Sequence, residues 1–123
     1  MTLTVFTMIA TQGGRDRQEG SEMWAQLAKI RVKPGKDTVE LNEKILAVEQ
    51  PDSGLVRTIL MRDQKDPDQL YTLVVFESEE KARAREQDPR RQEGLQAVRA
   101  MMPDILAGAP EFTDLTVIKE WTR

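Results

Sequence analysis

Apolar and polar residues alternate along four stretches of this chain, and each stretch predicts a β-strand. The stretches are residues 23–33, 55–62, 70–77 and 114–121. Because side chains alternate across a strand, Trp24, Ala28 and Val32 fall on one face of the first strand and Leu27 on the other. The second and third stretches are joined by a polar loop, residues 63–68, and predict a β-hairpin.

A first helix is predicted between the first two strands. After a turn at residues 34–35, Asp37 and Glu40 have the spacing of a capping box, which is typical of a helix start. Apolar residues follow at helical spacing: Leu41, Ile45 and Val48. We expect this helix to end near Gln50, before a proline.

A second helical region follows the third strand. Ser78 precedes two glutamates and suits a helix N-terminus, where acidic groups oppose the helix dipole. The helix is predicted to restart at Asp88-Pro89, since proline is accepted in a first turn. An apolar stripe then comprises Leu95, Val98, Met102, Ile105 and Leu106. Pro103 interrupts this stripe and predicts an end or a kink.

The element order β-α-β-β-α-β predicts an α+β fold of the ferredoxin-like type, with an antiparallel sheet. In this arrangement the helices cover one sheet face only, so the face that carries Leu27 needs another cover. A second copy of the chain is the simplest one. We therefore expect a homodimer built by packing sheet against sheet.

The length of 123 residues suits one ordinary domain. Residues 23–123 are predicted to form it, and residues 1–22 to form a strand-like arm and a linker. The linker comprises the polar, glycine-rich residues 11–21. The apolar residues 2–10 before it suit either an extra strand or a loose tail.

Composition narrows the classes of function. The net charge of −3 is spread over a mixed surface, so neither a nucleic acid nor a membrane is an expected partner. Acidic residues interleave with the arginines of residues 83–99, which favours a solvated helix face. No apolar run reaches the ~20 residues of a membrane span, and the start lacks a secretory signal, so we expect a cytoplasmic protein.

Histidine and cysteine are both absent from the sequence, which removes the usual bases, nucleophiles and soft metal ligands. No phosphate-binding glycine loop is present either. The aspartates at 63, 66 and 68 suit a charged hairpin loop better than a calcium site. We therefore expect no bound metal and no cofactor.

The strand-to-helix junctions resemble those of the antibiotic biosynthesis monooxygenase (ABM) family. The resemblance spans residues 23–121 and rests on three motifs: Val32-Lys33-Pro34-Gly35-Lys36, Val74-Val75-Phe76-Glu77-Ser78-Glu79-Glu80 and Asp88-Pro89. It implies a dimeric α+β barrel that binds flat apolar molecules between sheet and helices. Some members oxygenate quinols or polyketide aromatics without metal or flavin, because an electron-rich phenolate reduces oxygen itself, and one branch degrades haem.

Three departures from the family pattern bear on the activity. Members commonly carry an asparagine where this chain has Ala28, and a tryptophan where it has Phe76. They also carry a histidine in the helical region where Arg85 and Arg90 stand. Haem degradation is therefore not expected. Phe76 keeps an aromatic wall but lacks the indole N–H donor.

Two functional hypotheses follow. The first is a cofactor-independent monooxygenase of an aromatic, quinol or polyketide-like molecule. Its candidate pocket walls are Trp24, Ala28, Phe76 and Met102, with Tyr71 for proton handling and Arg57 or Arg85 for anion stabilisation. The second is a non-catalytic dimeric module that binds an apolar small molecule. A charged group converging on an apolar cavity would favour the enzyme.

Overall fold

Four strands form one antiparallel sheet in the computed structural model, which describes residues 22–123. The strands are β1 (Trp24–Arg31), β2 (Leu55–Arg62), β3 (Gln69–Phe76) and β4 (Glu111–Thr116), in the sheet order β2-β3-β1-β4. Their order along the chain and in the sheet confirms the predicted ferredoxin-like α+β fold. The predicted N-terminal arm and linker, residues 1–22, lie outside the described residues except for Glu22.

The helices are α1 (Val39–Ala47), α2 (Glu79–Glu86), α3 (Pro89–Gly94) and α4 (Gln96–Ile105). The predicted caps at Ser78 and Asp88 are confirmed, because each side chain accepts a hydrogen bond from a backbone N–H in the following turn. The capping box at Asp37 is wrong. Thr38 is the N-cap of α1, and Asp37 instead accepts a hydrogen bond from the backbone N–H of Val39.

Two predicted boundaries differ from the structure. Of the end or kink predicted at Pro103, the end is wrong, because Pro103 lies inside the last turn of α4. Lys33 donates a 2.8 Å hydrogen bond to the Pro103 carbonyl oxygen. The last strand was expected over residues 114–121 but is β4, Glu111–Thr116. Thr116 pairs with Trp24, the first residue of β1, and beyond it one further backbone hydrogen bond runs from the Val117 N–H to the Met23 carbonyl oxygen at 3.1 Å.

The helices cover one face of the sheet. On this face Trp24, Phe76 and Ala82 form one buried cluster. A second cluster joins α1 to α4 through Leu41, Leu95 and Val98. Gly94 is required at the end of α3, because a Cβ there would overlap the side chain of Val48. The described helices are therefore held together by apolar contacts as well as by the sheet.

The opposite face of the sheet carries no helix in the described part of the chain. Leu27, Leu73 and Ile59 lie side by side across β1, β3 and β2. Met61 and Leu115 share this face, and their exposed fractions are 40% and 39%. We call these five residues the open apolar face.

Within residues 22–123 no helix has both the length and the apolar character needed to cross a membrane.

Candidate functional site

An aromatic pair lies on the helix-covered face of the sheet. Trp24 and Phe76 are cross-strand partners in β1 and β3, with ring centroids 6.0 Å apart and an interplanar angle of 43°. Both are buried, and Ala82 of α2 packs against them. The two predicted aromatic walls are therefore in contact and form one apolar surface.

Two arginines of α2 lie over this aromatic pair. The guanidinium carbon of Arg83 is 4.9 Å from the Trp24 ring centroid, and that of Arg85 is 5.1 Å from the Phe76 ring centroid. Both distances fall within the range of cation–π attraction. One helix thus places positive charge against both rings.

Asp114 lies at the edge of this arrangement. It accepts hydrogen bonds from Gln26 at 3.1 Å and from Arg83 at 2.9 Å. These two donors hold the pKa of the Asp114 carboxyl below its usual range, because they stabilise the charged form. The Arg83 guanidinium has a raised pKa, first because of its hydrogen bond to Asp114. Asp114 is accordingly an ionised carboxylate and a weak base, and sequence reasoning missed it.

Arg85 is held by a carboxylate from the connection between α1 and β2. Its guanidinium donates hydrogen bonds of 2.8, 2.8 and 3.1 Å to the two oxygens of Glu49, and both side chains are largely buried. Burial alone would raise the pKa of Glu49. Hydrogen bonds from Arg85 and Ser53, together with the charge of Arg85, outweigh it and lower that pKa.

Ala28 is buried on the same face as the aromatic pair, and its cross-strand partner in β3 is Thr72. The Thr72 residue is only 5% exposed, and its Oγ1 has no hydrogen-bond partner among the described residues. Such orphaned buried hydroxyls are rare because they cost stability. Sequence reasoning missed Thr72, although a threonine sharing a strand face with Leu70 and Phe76 was a visible signal.

The structure separates the other predicted site residues from this pair. Met102 belongs to the second apolar cluster, beside Leu41 and Val98. Tyr71 lies on the opposite sheet face, where its partners are Lys29 and Met61. Arg57 also lies on that face and forms a 3.3 Å ion pair with Glu120. The predicted residues Trp24, Phe76 and Arg85 come together, and Ala28 shares their sheet face, whereas Tyr71 and Arg57 do not.

A polar cleft opens on the outer side of Arg85. Its volume is about 100 Å³. It is lined by Glu49, Gln50, Asp52, Ser53, Lys81, Ala84, Arg85, Asp88 and Arg91. We call it the arginine cleft.

Among residues 22–123, no three side chains of histidine, cysteine, aspartate or glutamate converge in a way that could hold a metal ion. The hairpin aspartates bind protein groups instead. Asp66 forms a 2.6 Å ion pair with Arg31, and Asp63 accepts a 2.7 Å hydrogen bond from the backbone N–H of Lys65.

Solved structures of other proteins share this fold. The chain is similar to a Chloroflexus aurantiacus protein named antibiotic biosynthesis monooxygenase, with 21% identity over 81% of this chain and 97% of that one, at a TM-score of 0.59. It is also similar to SnoaB, a cofactor-independent oxygenase from Streptomyces nogalater, with 16% identity, 83% and 99% coverage and a TM-score of 0.60.

A conserved protein from Methanosarcina mazei has the same fold, with 15% identity, 78% and 93% coverage and a TM-score of 0.61. No protein-family model and no curated protein matches the chain. At these identities the likeness establishes the fold. The resemblance to the antibiotic biosynthesis monooxygenases is confirmed at that level.

Proposed function

We propose that the protein is a cytoplasmic, cofactor-independent monooxygenase that acts, as a homodimer, on an aromatic, quinol or polyketide-like small molecule. The observation that carries this proposal is the Thr72 hydroxyl, which is buried without a partner on the sheet face of the aromatic pair. A ligand oxygen that bonded to this hydroxyl would relieve the cost of burying it. The fold shared with SnoaB supports the same conclusion.

The surroundings of Thr72 favour a flat, apolar substrate. Trp24 and Phe76 supply a buried aromatic surface, and Ala28 is a small buried residue on the same sheet face, opposite Thr72. Met102, on α4, is the flexible residue of the neighbouring cluster and is able to repack around a ligand. We assign Trp24, Ala28 and Phe76 to the substrate pocket, with Thr72 as its polar group, and propose that Met102 of the second cluster joins it only by repacking.

The chemistry needs only a substrate that ionises and gives electrons to oxygen. In an anthrone-like substrate, a methylene carbon between two rings loses two hydrogens and gains one oxygen atom from O₂. The other oxygen atom leaves as water, so the substrate supplies all the electrons. The protein contributes a dry pocket and a positive charge that stabilises the substrate anion.

We assign that positive charge to Arg85, whose guanidinium lies against the Phe76 ring. Arg83 and Asp114 lie beside the other ring of the pair, that of Trp24, and form an ion pair there. We propose that the proton lost by the substrate leaves the pocket past this ion pair. Tyr71 and Arg57 lie on the sheet face that we assign to the second copy. In this proposal they act at the interface between copies and not in the pocket of Trp24.

The homodimer follows from the open apolar face. Its central row of Leu27, Leu73 and Ile59 would lose contact with water if a second sheet packed on it. Met61 and Leu115 extend the same surface. An isologous contact between two such faces is the simplest closed arrangement.

The second candidate is a non-catalytic module that binds the same class of ligand. It is favoured by two observations: Glu49 neutralises Arg85, and the sequence has no histidine to act as a base. The two candidates differ in whether oxygen is consumed.

The test is incubation with an anthrone under isotope-labelled oxygen gas, followed by mass spectrometry of the product. The monooxygenase yields a quinone that carries one labelled oxygen atom, at a rate above that of the uncatalysed reaction. Tight binding of the anthrone without labelled product would favour the binding module.

A further inference from the structure

We propose that the arginine cleft is a binding site for a small anion, a carboxylate or a phosphate group, and that Arg91 is its anchor. The cleft lies between the connection of α1 to β2 on one side and α2 with the start of α3 on the other. Of the residues assigned to the oxygenase pocket, it shares only Arg85.

Among the described residues, Arg91 is the cation of this cleft that forms no ion pair or side-chain hydrogen bond. Its Nε atom is buried and makes no hydrogen bond, and no carboxylate within residues 22–123 forms an ion pair with it. Burial and the nearby charge of Arg85 lower the pKa of the Arg91 guanidinium. A charged guanidinium with one buried N–H that lacks an acceptor is costly, and an anion in the cleft would offset that cost through the charge of Arg91, which lines the cleft, since Nε itself is out of contact with solvent.

The carboxylates around Arg91 are held by other arginines. Glu49 accepts three hydrogen bonds from Arg85. Asp88 accepts hydrogen bonds from Arg90, the shortest of 2.6 Å, and Asp52 lies 3.7 Å from the same guanidinium. Glu49 and Asp88 are therefore engaged by other arginines, whereas Asp52 is exposed and only loosely paired. Glu86, whose charge also acts on Arg91, pairs with Arg83 at 3.6 Å.

The charges around the cleft balance. Its lining carries three cations and three carboxylates. Outside the lining, Arg90 pairs with Asp88 and Asp52, and Glu77 pairs with Lys81, so these neighbours add one charge of each sign. An anion would therefore bind through the local charge of Arg91 and not through a net positive charge of the cleft.

The walls of the cleft supply further groups for such a ligand. Lys81 lies against Gly54. A Cβ at position 54 would come within 2.7 Å of the lysine Cδ, so the Lys81 side chain can occupy this position only because residue 54 is glycine. The ammonium of Lys81 forms an exposed ion pair with Glu77 at 3.0 Å. Such a pair contributes little stabilising free energy, so an anion in the cleft is able to replace it. The volume of about 100 Å³ suits one carboxylate or phosphate group.

The experiment is a titration of isotope-labelled protein with inorganic phosphate and, separately, with acetate, at constant ionic strength maintained with sodium chloride. Nuclear magnetic resonance follows the Arg91 side-chain Nε–H and the backbone amide of Ser53. We expect saturable shifts of both signals with at least one of the two anions. The anion that saturates identifies the ligand class.

Variants test the role of Arg91. Arg91→Gln should weaken binding at least about tenfold, which is the loss of one charge-assisted hydrogen bond. Arg91→Lys should retain part of the affinity. Arg62→Gln removes one exposed positive charge at the end of β2, outside the cleft, and should leave the affinity unchanged. Arg91 holds no carboxylate among the described residues, so its replacement should not unfold the protein.

Chemical-shift changes that rise linearly with the concentration of both anions, without saturation, are those of non-specific binding, which chloride would also cause. They would show an adventitious ion only and overturn the proposal. Equal losses of affinity in Arg91→Gln and Arg62→Gln overturn it as well. Neither result bears on the proposed oxygenase, whose pocket shares none of these residues except Arg85.

Discussion

Arg85 and Glu49, which are separated by 36 positions in the sequence, form a largely buried ion pair whose guanidinium also lies 5.1 Å from the centre of the Phe76 ring. This one arginine connects α2, the connection between α1 and β2, and the aromatic end of β3. Its charge is therefore both a structural element and part of the environment of any ligand that stacks on Phe76.

Glu49→Gln should lower the free energy of unfolding at pH 7 by about 1–2 kcal/mol, because Arg85 keeps its buried charge without a carboxylate. The folded-state pKa of Glu49 is depressed, so its stabilisation is present above the unfolded pKa of about 4.3 and is lost as pH falls through the folded pKa. Urea denaturation between pH 7 and pH 3 should show the variant and the wild type converge.

Asp66→Asn is the matched control, since Asp66 also pairs with an arginine but the pair is exposed. It should change stability little at pH 7. If the two variants lose the same stability, the Arg85–Glu49 pair has no special structural role.

Arg85→Met and Glu49→Gln should shift the pH dependence of oxygen uptake in opposite directions. The first leaves a negative charge beside the pocket and raises the pKa of the bound substrate, so the profile moves to higher pH. The second leaves a positive charge and moves it to lower pH, each by about one unit. Near-ultraviolet circular dichroism of both variants monitors the fold, and shifts of the same sign would refute the assigned role of Arg85.

Thr72→Val should raise the free energy of unfolding by about 1 kcal/mol, because it removes a buried hydroxyl without a partner and keeps the side-chain shape. The same change should weaken substrate binding. Thr113→Val, which alters an exposed threonine on the other sheet face, serves as the control. A less stable Thr72→Val protein with unchanged binding would show that the hydroxyl does not contact the ligand.

Leu73→Asp should convert the homodimer to a monomer, because it places a charge at the centre of the open apolar face. Sedimentation velocity at micromolar concentration measures the change. Val39→Asp places a charge at an exposed apolar position on α1 and should leave the dimer intact. A wild-type protein that sediments as a folded monomer contradicts the dimer itself.

Local signals predicted much of this fold. The bounds of β2 are those expected, and Ser78 and Asp88 begin helices as predicted, since turn and capping residues act on their own neighbours. The end of β4 was not predicted. It depends on where its partner β1 begins, and that is a property of the whole sheet.

The site was predictable only in part, and the reason is the sheet register. Alternation along β3 already places Tyr71 and Phe76 on opposite faces, five positions apart. Arg57 and Leu55 lie on opposite faces of the sheet, although they are two positions apart, because a β-bulge between them adds one residue to the strand. No local sequence pattern signals this bulge. The engagement of Arg85 by Glu49 is equally a long-range contact that no local spacing reveals.

The most direct test of the central claim is oxygen uptake by chelator-treated protein with a panel of hydroquinones and anthrones. The account predicts that at least one substrate is oxidised faster with the protein than without it, and that Thr72→Val slows this reaction whereas Thr113→Val does not. No uptake with any member of the panel, or uptake that chelation abolishes, would contradict a cofactor-independent monooxygenase.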